Sequence, residues 1–357
     1  MNKFCVFCGE KPNSKNKEHI LPTWLLEMTG DPKRTAKFGF YKDSQNKFSP
    51  RKYSFDSFVF PACQDCNNRF SALEGEVKNI IDSMLRFDSL SMHQFSILFD
   101  WLDKVRIGLW LAFIYLDKNI CGISPKFHIT RRIGMHDRMM IISLIDSTNE
   151  GLNFIGCDFP IFYFTPSCFA LRINRIILFN ISYAFLFSRR IGFPYPLKSY
   201  LSSDQLHLYY MASGLERVIL PLIRKPFQLK GTKLYQPMFD YISLNDSVEE
   251  FYQSDYIIKN CINWDDGIGK IFMENVNEIN VYPVNPSKAW IPKYSYDVDT
   301  YLKLIPLEVL NKQLYIVDNL LPLYDNLPLE QRKRHKAEIK NQKIVSRKFI
   351  KMLINKQ

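Results

Sequence analysis

Three stretches decide how this chain is read: Cys5-Val6-Phe7-Cys8, Glu18-His19-Ile20-Leu21-Pro22 and Cys63-Gln64-Asp65-Cys66-Asn67-Asn68. Two C-x-x-C pairs supply four thiolates, which suits a tetrahedral structural zinc ion with no open coordination position. Two knuckles on one ion would draw together segments separated by the 54 residues between Cys8 and Cys63. The alternative is redox-active thiols. A segment this small needs a staple to fold, and a metal supplies one.

The Glu18-His19 pair is the candidate for chemistry. Phosphodiester hydrolysis needs a base to activate water and a cation to neutralise the departing 3′-oxygen. A neutral imidazole is such a base near neutral pH. The adjacent carboxylate, helped by the amide oxygen of Asn67, suits a hard cation such as Mg²⁺. Each residue also has a plain structural reading: His19 as a cap or core histidine, Glu18 as a surface acid, Asn67 as a helix cap.

In their order, these motifs resemble the HNH endonucleases of the His-Me finger (ββα-metal) group, in the subset with two zinc knuckles. The family pattern is C-x-x-C, an acidic residue with His and Ile/Val-x-Pro, then C-x-x-C-N, and it covers residues 5–75. The resemblance implies that His19 is the general base and that Glu18 and Asn67 hold a catalytic Mg²⁺ or Mn²⁺. Cys5, Cys8, Cys63 and Cys66 would hold a structural Zn²⁺. It places His19 on a β-hairpin and Asn67 at the start of a helix running through Phe70, Leu73 and Val77. The chain departs from the pattern in two ways. The stretch from His19 to Cys63 is longer than in minimal members, and the third motif position further into the helix is open, with Asn68 and Glu74 as substitutes. Glu74 otherwise reads as a solvated helix residue.

The 357 residues carry a net charge of +11, concentrated at the two ends. From Gln331 to Gln357 ten Lys and Arg face one acid, Glu338, and residues 1–60 contribute about +5. Such ends fit a polyanion, here nucleic acid, with DNA expected over RNA. Lys33, Arg34, Lys37, Lys42, Lys47, Arg51 and Lys52 fall on a predicted hairpin, Arg34–Tyr41 and Lys52–Phe60 around the turn Asp43–Asn46. They suit phosphate contacts or an ordinary soluble hairpin. In the tail, Arg332, Lys333, Arg334, Lys336, Lys340, Arg347 and Lys348 suit nucleic acid, a membrane surface or water.

The fold class expected is α+β: a zinc-stapled ββα-metal module over 1–78, a larger mixed domain over 79–325, and a basic helical tail over 326–357. Leu98, Trp101, Leu102, Val105, Leu109, Ala112, Phe113 and Leu116 share one face of a helix within the helical stretch 79–118, with Ser89 or Ser91 as its cap. Over the strand-rich stretch 127–223, the runs Met139–Ile145, Ile161–Phe164, Phe169–Ile173, Ile176–Ile181 and Arg217–Ile223 predict strands. Pro283, Pro286 and Pro292 mark loops. Cys121, Cys157, Cys168 and Cys261 lack ligand spacing, and His93, His128, His136, His207 and His335 lack a motif, so all are read as structural or exposed. No secretory leader is read at Met1–Glu10, and the apolar runs Ile107–Leu116 and Ile176–Phe187 are too short to span a bilayer. A cytoplasmic protein without a membrane role is therefore expected. Cutting two strands with one site calls for a homodimer or a partner protein docking through residues 80–330. The resemblance implies an endonuclease, with restriction or phage defence as its setting. The rival is a non-catalytic zinc module that binds nucleic acid or a protein.

Overall fold

A computed structural model describes residues 4–13, 16–42, 48–116, 122–201, 207–220, 222, 229–238, 254–263, 266–274, 279–281, 294–320 and 327–355. The turn Asp43–Asn46, Lys47, Cys121 and the loop prolines Pro283, Pro286 and Pro292 lie outside the described residues.

The first strand, β1 (Lys17–His19), is followed by helix α1 (Thr23–Met28) and a hairpin, β2 (Thr35–Lys42) with β3 (Phe48–Ser54). The chain then returns as β4 (Val59–Pro61), antiparallel to β1 with His19 opposite Val59 and Glu18 opposite Phe60. Helix α2 (Gln64–Leu85) follows directly. It continues through residues 78 and 79, so the boundary expected there falls inside a helix. Phe70, Val77, Ile80, Ile81 and Met84 line its buried side.

Helix α3 (Met92–Leu116) begins at a reciprocal cap, in which Gln94 N donates to Ser91 Oγ at 3.2 Å and Ser91 N donates to Gln94 Oε1 at 2.7 Å. The sequence suggests one apolar face. The structure buries the helix on all sides from Trp101 to Ile114, the charged Asp103, Lys104 and Arg106 included. A helix apolar all round belongs inside a protein, and this one lies between the N-terminal segment and a large sheet.

That sheet contains β5 (Asp137–Ile145), β6 (Leu152–Ile155), β7 (Cys168–Ile173) and β8 (Ile176–Tyr183). Apart from it stands a hairpin of β9 (Tyr195–Leu201) and β10 (His207–Ala212), which the sequence reading missed. The chain continues through β11 (Thr232–Gln236), helix α5 (Asp255–Lys259), a small pair, β12 (Cys261–Asn263) with β13 (Ile268–Gly269), and then β14 (Phe272–Glu274), β15 (Ile279–Val281) and β16 (Ser295–Tyr296). Among the described residues the sheet order is β15-β14-β11-β5-β8-β7-β6, antiparallel throughout, with β16 parallel beside the end of β5. Alternation along β5 splits its side chains between two cores. Met140, Ile142 and Leu144 face the core shared with α3 and the N-terminal segment. Met139, Ile141 and Ile145 face the core under helix α6 (Val298–Leu320), where Tyr301, Ile305, Val309 and Leu310 pack.

Two expected strands are not strands. Ile161–Phe164 belongs to a short helix, α4 (Pro160–Phe164), because Pro160 at its first turn presets the helical φ. No strand runs through the described residues of Arg217–Ile223, which are 217–220 and 222. The basic tail is the expected helix, α7 (Leu329–Asn355), seated by Ile339 against Ile161 and Val317. No helix among the described residues is long and apolar enough to cross a membrane.

Candidate active site and metal centre

The four N-terminal cysteines come together. The Sγ atoms of Cys5, Cys8, Cys63 and Cys66 all lie within 4.8 Å of one another, and those of Cys8 and Cys63 are 3.9 Å apart. Tetrahedral zinc with Zn–S bonds of about 2.3 Å places its sulfurs about 3.8 Å apart, so this donor set fits a metal ion such as zinc. The first knuckle closes through Gly9 N donating to Cys5 O at 2.9 Å, with Gly9 at φ +85°. That conformation suits glycine, and the His128 ring fills the space a Cβ would need. The second knuckle is the start of α2, with Cys63 as N-cap and its N–H donating to Cys5 Sγ at 3.2 Å. Thiolates gathered there meet the positive end of the helix dipole. Burial, then the neighbouring Cys5 and Cys8, pushes the Cys66 thiol up to about 12. At Cys5, burial is outweighed by N–H groups of Cys8, Cys63 and Phe7, and its pKa is lowered. A cation that relieves the crowding of thiolates would release protons as it binds.

The two ends of the module are held by backbone as well. Val6 N donates to Pro61 O at 2.9 Å, and Ala62 N donates to Asn16 O at 3.1 Å. The Asn16 side chain donates to Gln64, and Gln64 Nε2 donates to Asn68 Oδ1 at 2.8 Å. Phe7 stacks on Phe70 with centroids 4.3 Å apart, pressing the first knuckle onto α2. Ile129 and Thr130 brace the other side, donating to Val6 O and Phe7 O.

His19 ends β1 and is half-buried; its Nδ1 is buried without a hydrogen-bond partner among the described residues. A ring nitrogen in that state awaits a water or a ligand. Asn67 lies in the first turn of α2, half-exposed, one residue beyond the cysteine cluster. An antiparallel pair running into a helix thus carries both residues, with the cysteines joining the strand end to the helix start.

Glu18 is not a surface acid. It is buried, with Oε1 2.5 Å from Lys104 Nζ. Glu74, half-buried on α2, engages the same ammonium, so it is not a solvated helix residue either. Burial raises the Glu74 pKa, against the pull of Lys104. For Lys104, burial acts to lower the pKa, but Glu74 and Glu18 outweigh it and hold the ammonium charged. Lys104 Nζ also sits 5.8 Å from the centre of the Phe7 ring. Sequence reasoning missed Lys104, treating its helix as apolar core. The signal available was a run of charges, Asp103, Lys104 and Arg106, inside a segment too apolar to be amphipathic.

The basic hairpin divides. Arg34 is an internal brace: it donates to Leu26 O, Asp31 O and Thr29 Oγ1 and lies 4.7 Å over the Phe55 ring. Lys33, Lys37 and Lys52 are exposed, and Lys37 faces Lys52 directly across the strands. On α7, Lys333, Arg334, Lys336, Lys340, Arg347 and Lys348 are exposed, and some are paired along the helix, as Lys333 is with Glu330. Arg332 is half-buried. Cys157 and Cys168 are buried in the core, and Cys261 is partly buried on β12. His136 is half-buried, and burial, then Arg132 and Arg106, pushes its pKa well below the usual value.

No protein family, curated protein or solved structure matches this chain.

Proposed function

We propose that the protein is a metal-dependent nuclease of the HNH type that hydrolyses phosphodiester bonds in nucleic acid, DNA above RNA. The observation that carries this reading is the juxtaposition of β1, β4 and the first turn of α2 around a four-cysteine cluster, with His19 and Asn67 on adjoining elements. The cluster would be a structural Zn²⁺ site, since four thiolates leave a zinc ion no open position. His19 takes the proton from a water, whose oxygen attacks phosphorus in line while the bond to the 3′-oxygen breaks. The products carry 5′-phosphate and 3′-hydroxyl ends. A Mg²⁺ or Mn²⁺ ion, for which Asn67 and the Glu18 carboxylate are the donors at hand, would supply charge neutralisation at the leaving oxygen. Lys37 and Lys52, like charges directly opposed on an exposed hairpin, cost stability unless an anion lies against them. A phosphate backbone is that anion.

The test uses purified wild type and His19→Ala, each with supercoiled plasmid, single-stranded DNA and RNA, in Mg²⁺, Mn²⁺ or EDTA, with zinc measured in both. Cutting by wild type that EDTA abolishes, and that His19→Ala lowers by about a hundredfold or more at equal zinc content, is expected. Equal cutting by both proteins would sink the assignment of the base.

A second reading has one observation in its favour. Lys104 already satisfies part of the Glu18 carboxylate, which suits a non-catalytic zinc module that binds nucleic acid or a protein partner. On that reading zinc removal unfolds the N-terminal segment and His19→Ala changes nothing. A cytoplasmic setting, a role in restriction or phage defence, and a homodimer or partner bound through residues 80–330 remain part of the proposal, resting on the sequence resemblance.

A further inference from the structure

α3 delivers one ammonium into a space shared by two carboxylates from two elements of the module, Glu18 on β1 and Glu74 on α2. The lysine side chain is fully buried, while the Glu18 and Glu74 side chains are 9% and 16% exposed, so the water-facing side of the trio is made by the carboxylates. The formal charge of the trio is −1, because two carboxylates meet one ammonium. Glu18 adjoins His19 in sequence, and Glu74 lies about two helical turns beyond Asn67 on α2. Paired carboxylate oxygens converging on one point are what a hard divalent cation requires. Here a side-chain cation stands at that point.

We infer that Lys104 Nζ occupies a built-in cation position between Glu18 and Glu74, so that Lys104 is a positioning residue that fixes the strand carrying His19 against α2. Two physical consequences follow. A divalent ion in wild-type protein is kept off the point between the two carboxylates by the ammonium already there, so an ion bound near His19 meets Glu18 only through the oxygen that Lys104 leaves open. The module is also incomplete without α3, since the cation that joins its strand to its helix comes from outside it. The inference concerns the site of the proposed function, yet its measurement needs no nucleic acid, so either can fail while the other stands.

The experiment is Mn²⁺ binding to the full chain, read by electron paramagnetic resonance of free Mn²⁺, for wild type, Lys104→Ala, Lys104→Met and the Lys104→Ala/Glu74→Gln double variant. Removing the ammonium and its stem leaves two carboxylates and room for a hydrated ion. Lys104→Ala should therefore bind Mn²⁺ about tenfold or more tighter than wild type. Thermal unfolding of Lys104→Ala should rise with added Mn²⁺ more than that of wild type. Glu74→Gln in the same background should abolish the gain, and Lys104→Met, which fills the space without charge, should show less of it. Unchanged or weaker Mn²⁺ binding by folded Lys104→Ala overturns the inference. So does a Lys104→Ala protein that stays unfolded at every Mn²⁺ concentration, because an added divalent ion is required to replace the ammonium.

Discussion

Helix α3 carries two buried charge clusters on opposite sides, and they are built differently. Toward the sheet, Asp103 pairs with Arg106 at 2.7 Å and with Arg138 at 3.2 Å; Arg138 also engages Asp100 and the Gln236 side chain. Arg106 reaches Asn180 and Pro166 O. Two acids meet two guanidinium groups there, and Asp103, Arg106 and Arg138 are sealed from water. Toward the N-terminal segment, Lys104 meets two carboxylates that keep an opening to solvent and an excess negative charge. A balanced cluster has no net charge left to offer, although its Asp100 is 32% exposed, and its role is to fix α3 on β5 and β8. An unbalanced cluster has residual charge to offer a ligand.

The largest expected effect that separates the two is on stability. Arg138→Met leaves the sealed Asp103 with Arg106 alone and should cost about 3–5 kcal/mol in urea unfolding. Lys104→Ala should cost less, because Glu18 and Glu74 can turn to water. Equal losses would mean that the unbalanced cluster is structural in the same sense as the balanced one. An intermediate effect concerns how closely β1 approaches α3. A Cβ on Gly108 would lie 2.7 Å from Ile20 Cγ2, and Ile20 is fully buried beside His19. Gly108→Ala should lose about 1 kcal/mol net in thermal unfolding, overpacking outweighing the better helix propensity of alanine. A net gain would show that the strand has room to move on the helix. The smallest effect has two signs. Lys52→Glu turns the like-charge pair with Lys37 into an opposite pair and should stabilise the hairpin by about 0.5 kcal/mol. The same change should weaken nucleic-acid binding and reduce its salt dependence by about one phosphate contact. Unaltered binding across a salt titration would remove the hairpin from the interface.

Much of this was legible in short motifs and period. The C-x-x-C spacings led to the cysteine cluster, and Asn67 next to Cys66 led to the start of α2. Short apolar runs separated by turn residues located β5, β7 and β8. The reading went wrong where local chemistry overrode an apolar run, as Pro160 did for α4. It also erred where a basic residue turned inward: Arg34 looked like a phosphate contact and is a brace for the end of α1.

What the sequence by itself determined is therefore the set of donors and their local frames: four thiols at knuckle spacing, a histidine on an extended segment, an amide at a helix start. The thiol frames depend on contacts a few residues apart, which spacing reveals, and the frames of the histidine and the amide are those the family resemblance implies. Only the tertiary structure decided which charges meet. Lys104 lies 86 residues from Glu18 and 30 from Glu74 in the chain, and no periodicity links them. Burial supplies the reason they must meet, since a lysine carried into the interior by an apolar helix needs carboxylates brought to it.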